Sequence, residues 1–153
     1  MIGGSTRDPT AMALTLPTRP FLTLEAARHA LAACEAEAVR NKWPVAIAVV
    51  DEGGHTIVLS RQDGTQWSSV HTAIEKARAA IAWKRPTRLL EEMVNNGRTA
   101  FLSIADGMGI LQGGVPIEAG GAFLGAIGVS GVKASDDELV ALAGVNALKG
   151  ALG

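Results

Sequence analysis

Aromatic side chains and cysteine are scarce in this 153-residue chain. Three phenylalanines, three tryptophans and no tyrosine make up 4% of it, too few for a surface on which successive bases stack. A single cysteine, Cys34, excludes an internal disulfide and any cysteine-rich metal centre. It falls on the apolar side of a helical repeat and reads as core, not nucleophile. Neither sign of charge dominates: fourteen basic and fifteen acidic residues leave a formal net charge of −1, which gives no electrostatic case for nucleic acid or an anionic membrane. No apolar run approaches the roughly 18 residues of a membrane span. Residues 1–20 lack the continuous apolar region of a signal peptide, so the expected location is the cytoplasm. That stretch carries Pro9, Pro17 and Pro20 and little periodicity. It is expected to be a flexible leader, with Met12 a candidate natural start, ahead of one domain over 21–153. His-Glu-x-x-His, Gly-x-Ser-x-Gly and the Walker loop are also missing.

What the chain has in quantity is small residues. Seven of its eighteen glycines lie between Gly113 and Gly131. Two glycine pairs there bracket a short apolar run at Val115 to Ile117, and a longer run, Ala122 to Val129, follows. The pattern predicts strands of a hairpin or meander. Gly125 and Gly128 fall inside the second strand, which points to a helix, a ligand or another subunit approaching the backbone. Upstream, Val45 to Val50 is apolar throughout and predicts a strand buried on both faces, or a central strand with alanines packed under a helix. Asp51-Glu52-Gly53-Gly54 is a hairpin turn, and His55 to Arg61 is the return strand.

Helical spacing of three and four recurs in three places. Thr23 caps a first helix with Leu24, Ala27, Leu31, Cys34 and Ala38 inward. Trp67, Val70, Ile74, Ala77 and Ile81 mark a second, ending near Trp83. Ser135 with Glu138 forms a capping box for the last, with Leu139, Leu142, Ala143 and Leu148 inward. Thr87 caps a short helix carrying Leu89, Leu90, Met93 and Val94, closed by Asn95-Asn96-Gly97. Phe101 to Ile104 is read as a short strand or approach segment. The predicted order is helix, two strands, two helices, a three-strand region, helix, and hairpin links make the sheet antiparallel.

Of the three histidines, His29 and His55 read as surface residues. His71 borders the apolar stripe of the second helix, where a planar ligand would find a wall and a ligating nitrogen. A half-buried structural histidine is the plainer alternative. Glu75, four residues on, is placed to orient the imidazole as in a general acid–base pair. Lys76 and Arg78 are placed to hold a carboxylate or propionate, Arg78 bidentately, although a solvated face is the usual fate of such charges. Glu118, between the two glycine pairs, is a second candidate proton carrier. The second helix and the glycine-dense strands are expected to face each other across a shared hollow. A Cys-x-x-Cys-His attachment motif is absent, so any haem would be held non-covalently.

Asp63-Gly64, the helix with Glu75-Lys76-Ala77-Arg78-Ala79-Ala80, then Gly113-Gly114-Val115-Pro116-Ile117, Gly125 through Gly131, and Asp137-Glu138 in series resemble the GlcG/HbpS family, also found as the C-terminal domain of some PduO proteins. The resemblance spans about Leu22 to Leu148. It implies an α+β, profilin-like antiparallel sheet flanked by helices in a single domain, and homo-oligomers from dimers to octamers. For some members it implies haem binding; others lie among catabolic genes. Lys76 carries over as a pocket residue. Two functions follow as expectations. One is a haem binder using His71 as metal ligand, Lys76 and Arg78 near the propionates, and the backbone of Gly120 and Gly121. The other is a cofactor-free isomerase, tautomerase or hydrolase of a small organic acid, with His71, Lys76 and Glu118 as its catalytic groups. A third, a regulatory partner with no ligand, leaves the cleft as an oligomer interface.

Overall fold

A computed structural model describes Asp8 and residues 10–153. Much of the leader, residues 1–7 and Pro9, lies outside the described residues. From residue 10 to Thr23 the chain is largely without regular structure, and only Leu22 is buried.

Four strands, β1 (Ala46–Asp51), β2 (Thr56–Arg61), β3 (Gly114–Ala119) and β4 (Ala122–Ser130), form one antiparallel sheet in the order β2-β1-β4-β3. Helices α1 (Leu24–Asn41) and α5 (Ala134–Ala151) cover one face, and α2 (Ser68–Trp83) covers the other. The two faces differ in side-chain size, and that difference follows from period-2 alternation. Ile47 and Val49 of β1, with Ile127 and Val129 of β4, point into a core of branched side chains under α1 and α5. Ala46, Ala48 and Ala126 point the other way, against Ala73, Ala77 and Ala80 of α2. The small-residue face lets α2 lie almost on the sheet backbone. At Gly128 an added Cβ would sit 2.0 Å from the carbonyl oxygen of Ala73 and 2.5 Å from the nitrogen of Ala77. The expected approach to this glycine is therefore made by a helix.

Thr23 caps α1 as expected, accepting a hydrogen bond from the N–H of Ala26 at 3.1 Å. Both hairpin turns form, and Gly120 and Gly121 have φ of 59° and 77°, values that glycine adopts without strain.

Several expectations are corrected. Phe101 to Ile104 is helical, a 3₁₀ turn (Thr99–Phe101) running into α4 (Leu102–Ala105). Phe101 closes a small cluster over α3 (Thr87–Asn95) and stacks edge-on against Trp83 at 5.1 Å. The glycine-rich region therefore holds two strands, not three. Thr87 is the first residue of α3, and its hydroxyl accepts from the N–H of Gly114 at 2.8 Å instead of capping. Ser135 lies inside α5. The reach back from that helix is made by Asp137, which accepts from the N–H of Val132 at 3.1 Å. The buried side of α5 is Val140, Ala141, Gly144, Val145 and Leu148, so Leu139 faces outward. Gly144 sets that phase, because α1 crosses there with Cys34 against it. Burial pushes the Cys34 thiol up to about 12, which rules it out as a nucleophile.

Candidate functional site

The residues expected to act together are distributed over three places. Lys76 is interior. It is 3% exposed, and its Nζ donates to the carbonyl of Val129 at 2.9 Å and to Asp137 Oδ2 at 3.0 Å. The phase of α2 dictates this, since Ser69, Ala73, Lys76 and Ala80 follow one line facing the sheet and all four are buried. The ammonium therefore ties α2 to the end of β4 and the first turn of α5, and does not reach a surface where it would hold a ligand carboxylate. No hollow separates α2 from β4, so the expected shared cleft is replaced by direct contact.

His71 faces outward. It is exposed, as is Trp67, one turn earlier and 87% accessible. Trp67 precedes the helix and is not part of its buried stripe. Val70 and Ile74 are half-buried beside them and pack on Ala46, Ala48 and Ala73. Leu59 of the edge strand β2 pairs with Ala48. Paired residues point to the same face, so Leu59, 42% exposed, lies on the α2 side. Arg78 continues this line and packs against Gly54 of the β1–β2 turn. Its Nη1 donates to both Glu75 oxygens at 2.9 and 3.1 Å. Glu75 is thus committed to Arg78, and no hydrogen bond joins it to His71 among the described residues.

Glu118 is exposed on β3, at the opposite edge of the sheet from β2. Gly120 and Gly121 form the β3–β4 turn. Gly121 shares a hollow of about 430 Å³ with Ile81 and Lys84 at the end of α2. His71 lies ten residues before Ile81, about 15 Å back along the helix axis. The structure therefore does not bring His71, Glu118 and the glycine turn into one site. A wider open depression, about 660 Å³ between the end of α1 and β2, is lined by none of the expected residues. No helix among the described residues is long and apolar enough to cross a membrane. No cluster of three or more histidine, cysteine or acidic side chains is placed to hold a metal ion among them.

Two structural features carry little signal in the sequence. The Lys76–Asp137 pair had a signal on one side only: Lys76 is in phase with the alanines of α2. Lys84 lies over the ring of Phe123, its Nζ 5.6 Å from the centroid, and nothing local in the sequence links those positions.

Comparison with known proteins places this architecture. The family described as "Haem degrading protein HbpS-like" matches residues 22–146. Protein GlcG of Escherichia coli (strain K12) is 44% identical over 115 residues, 75% of this chain and 85% of GlcG. The crystal structure of a double mutant of HbpS from Streptomyces reticuli superposes with a TM-score of 0.79 at 35% identity, covering 95% of this chain and 99% of that one. A PduOC–haem complex superposes with a TM-score of 0.76, covering 84% of this chain and 95% of that one; at 24% identity it speaks for the fold alone. The match over most of the length, in sequence and in fold, means that this chain belongs to the HbpS-like family.

Proposed function

We propose that the protein binds a planar tetrapyrrole of the haem type, non-covalently, on the outward line of α2, with a second copy of the chain covering it. The observation that carries this is the exposure of Trp67 and His71 one turn apart, next to an apolar margin of Val70, Ile74 and Leu59. The residues fit such a group. His71 offers an imidazole with no hydrogen-bond partner among the described residues, and imidazole is the usual protein ligand to haem iron. Trp67 offers a ring face. Among the described residues Arg78 is engaged at Nη1 alone, and its side chain is 41% exposed, so the rest of the guanidinium is open to a propionate. Bound haem would supply an iron centre. The chain supplies the imidazole nitrogen, an apolar wall and one cation. Haem-related function in the family supports the same reading.

The enzyme alternative is weaker here. It asks Lys76 and Glu118 to act with His71, and the three lie apart, with Lys76 already neutralised by Asp137. Hemin titrated into the purified protein is expected to give a shifted Soret band. His71→Ala should weaken binding at least tenfold and change the spectrum of what remains. Identical spectra and affinities in the two proteins would remove His71 as ligand.

A further inference from the structure

The hollow at the far end of α2 is separate from the His71 surface, and its lining combines apolar and charged side chains. Its volume, about 430 Å³, is in the range of small-molecule sites. Phe123, Ala122 and Ile81 give it an apolar floor. Three charged side chains border it: Arg19, Glu52 and Lys84. Arg19 Nη2 and Glu52 Oε1 are 2.7 Å apart and neutralise each other. Lys84 has no carboxylate within ion-pair distance among the described residues; its ammonium rests over the Phe123 ring. The site therefore carries one uncompensated positive charge held against an aromatic surface. The turn at Gly120 and Gly121 puts no side chain over the opening, and a Cβ there would meet nothing within 4 Å. The pair of exposed Arg19 and half-buried Glu52 closes one side. A pair with one solvent-exposed partner contributes roughly 0–1 kcal/mol, too little to bar entry.

A cation at a helix C-terminus is favoured by the helix dipole alone, which accounts for Lys84 being there. It does not account for an open, apolar-floored hollow beside it. We propose that this hollow binds a small organic acid with a flat, unsaturated body: the carboxylate pairs with Lys84 Nζ and the body lies on Phe123 and Ala122. This goes beyond tetrapyrrole binding at His71 and does not depend on it.

Benzoate is the probe, with benzamide as the uncharged analogue and acetate as the anion without a ring. Amide NMR shifts of the full-length protein are followed during titration. Benzoate should perturb Ile81 to Lys84 and Gly121 to Phe123 in a saturable way, with benzamide and acetate at least tenfold weaker. Lys84→Met should weaken benzoate roughly tenfold, as expected for loss of one charge-assisted contact. Phe123→Leu should weaken it while leaving the residual charge dependence intact. His71→Ala should leave benzoate binding unchanged, so failure of the haem reading is distinguishable from failure of this one. Lys84 is exposed, so its variant is expected to fold, and the unperturbed remainder of the spectrum checks that. No saturable shift at the hollow, equal response to benzamide, or full binding by Lys84→Met would each overturn the proposal.

Discussion

Lys76→Met is expected to cost about 3–5 kcal/mol of folding stability, the usual result of removing one partner from a buried ion pair. Both side chains are 3% exposed, so the carboxylate of Asp137 would be left unpaired where water does not reach. Its pH dependence is a sharper test than its size. Burial, the largest influence, raises the Asp137 carboxyl above its ordinary 3.8, while Lys76 and the N–H of Val132 pull it back. A carboxyl raised in the folded state contributes stability that is fully present below 3.8 and lost as pH rises through its folded value. Removing Lys76 takes away a restraining charge, so that value climbs further and the contribution on acidification grows. The deficit of Lys76→Met relative to the natural protein should therefore narrow as pH falls from neutral toward 4.5, measured by urea unfolding. A deficit that widens would mean Asp137 is not the group left exposed to the loss. Lys76→Met combined with Asp137→Leu should recover much of the stability, since two apolar side chains leave no unpaired charge.

Lys76 also marks the limit of what the sequence discloses. Its helical phase is in line with Ser69, Ala73 and Ala80, a signal for an inward side chain that outweighs the ligand-holding or solvated placement expected of a charge. Its partner, 61 residues away, was not readable, because Asp137 carries the local signature of a helix first turn whether or not a lysine points at it. The sheet was legible where local rules are strong. The turn at Asp51 to Gly54, the continuous apolar run of β1 and the glycine pair between β3 and β4 each specify a backbone course without long-range help. Phe101 to Ile104 was not legible, since four residues with one apolar face suit a strand or a helical turn equally, and the choice is made by the stacking of Phe101 on Trp83. Leu139 looks like core by composition yet lies on the outward face of α5, because Gly144, where Cys34 of α1 packs, decides the rotation. For the site, single residues were legible and their grouping was not. His71, Lys76, Glu118 and Gly121 each stand out in the sequence, and the fold puts His71 on the outer side of α2, Lys76 in the interior, and Glu118 with Gly121 on the β3–β4 hairpin.

Gly128→Ala is expected to have the second large effect, at or above the upper end of the roughly 1–3 kcal/mol that overpacking costs. The added methyl would meet the Ala73 carbonyl at 2.0 Å and the Ala77 nitrogen at 2.5 Å. Both are backbone atoms in the middle of a helix, so no rotamer change relieves them; α2 must lift from the sheet as a unit. Lifting it stretches the bonds from Lys76 to Val129 and Asp137, so the penalty includes part of that pair. Gly150→Ala is the matched control. It lies in the last turn of α5 with nothing within 4 Å of the new methyl, and alanine in a helix is favoured over glycine by up to about 1 kcal/mol, less where the helix frays. The same chemical change should thus destabilise at one position and be neutral or mildly stabilising at the other, read from urea midpoints at constant m-value. The displacement has a consequence for ligands as well. His71 and Lys84 sit near opposite ends of α2, and a helix held off the sheet moves both relative to Leu59 and Phe123. Gly128→Ala should therefore weaken hemin and benzoate together, although it touches neither site, whereas His71→Ala and Lys84→Met should each weaken one alone. Unchanged affinities in a destabilised Gly128→Ala protein would show that the strain is absorbed in the sheet, and that α2 does not set the geometry of either surface.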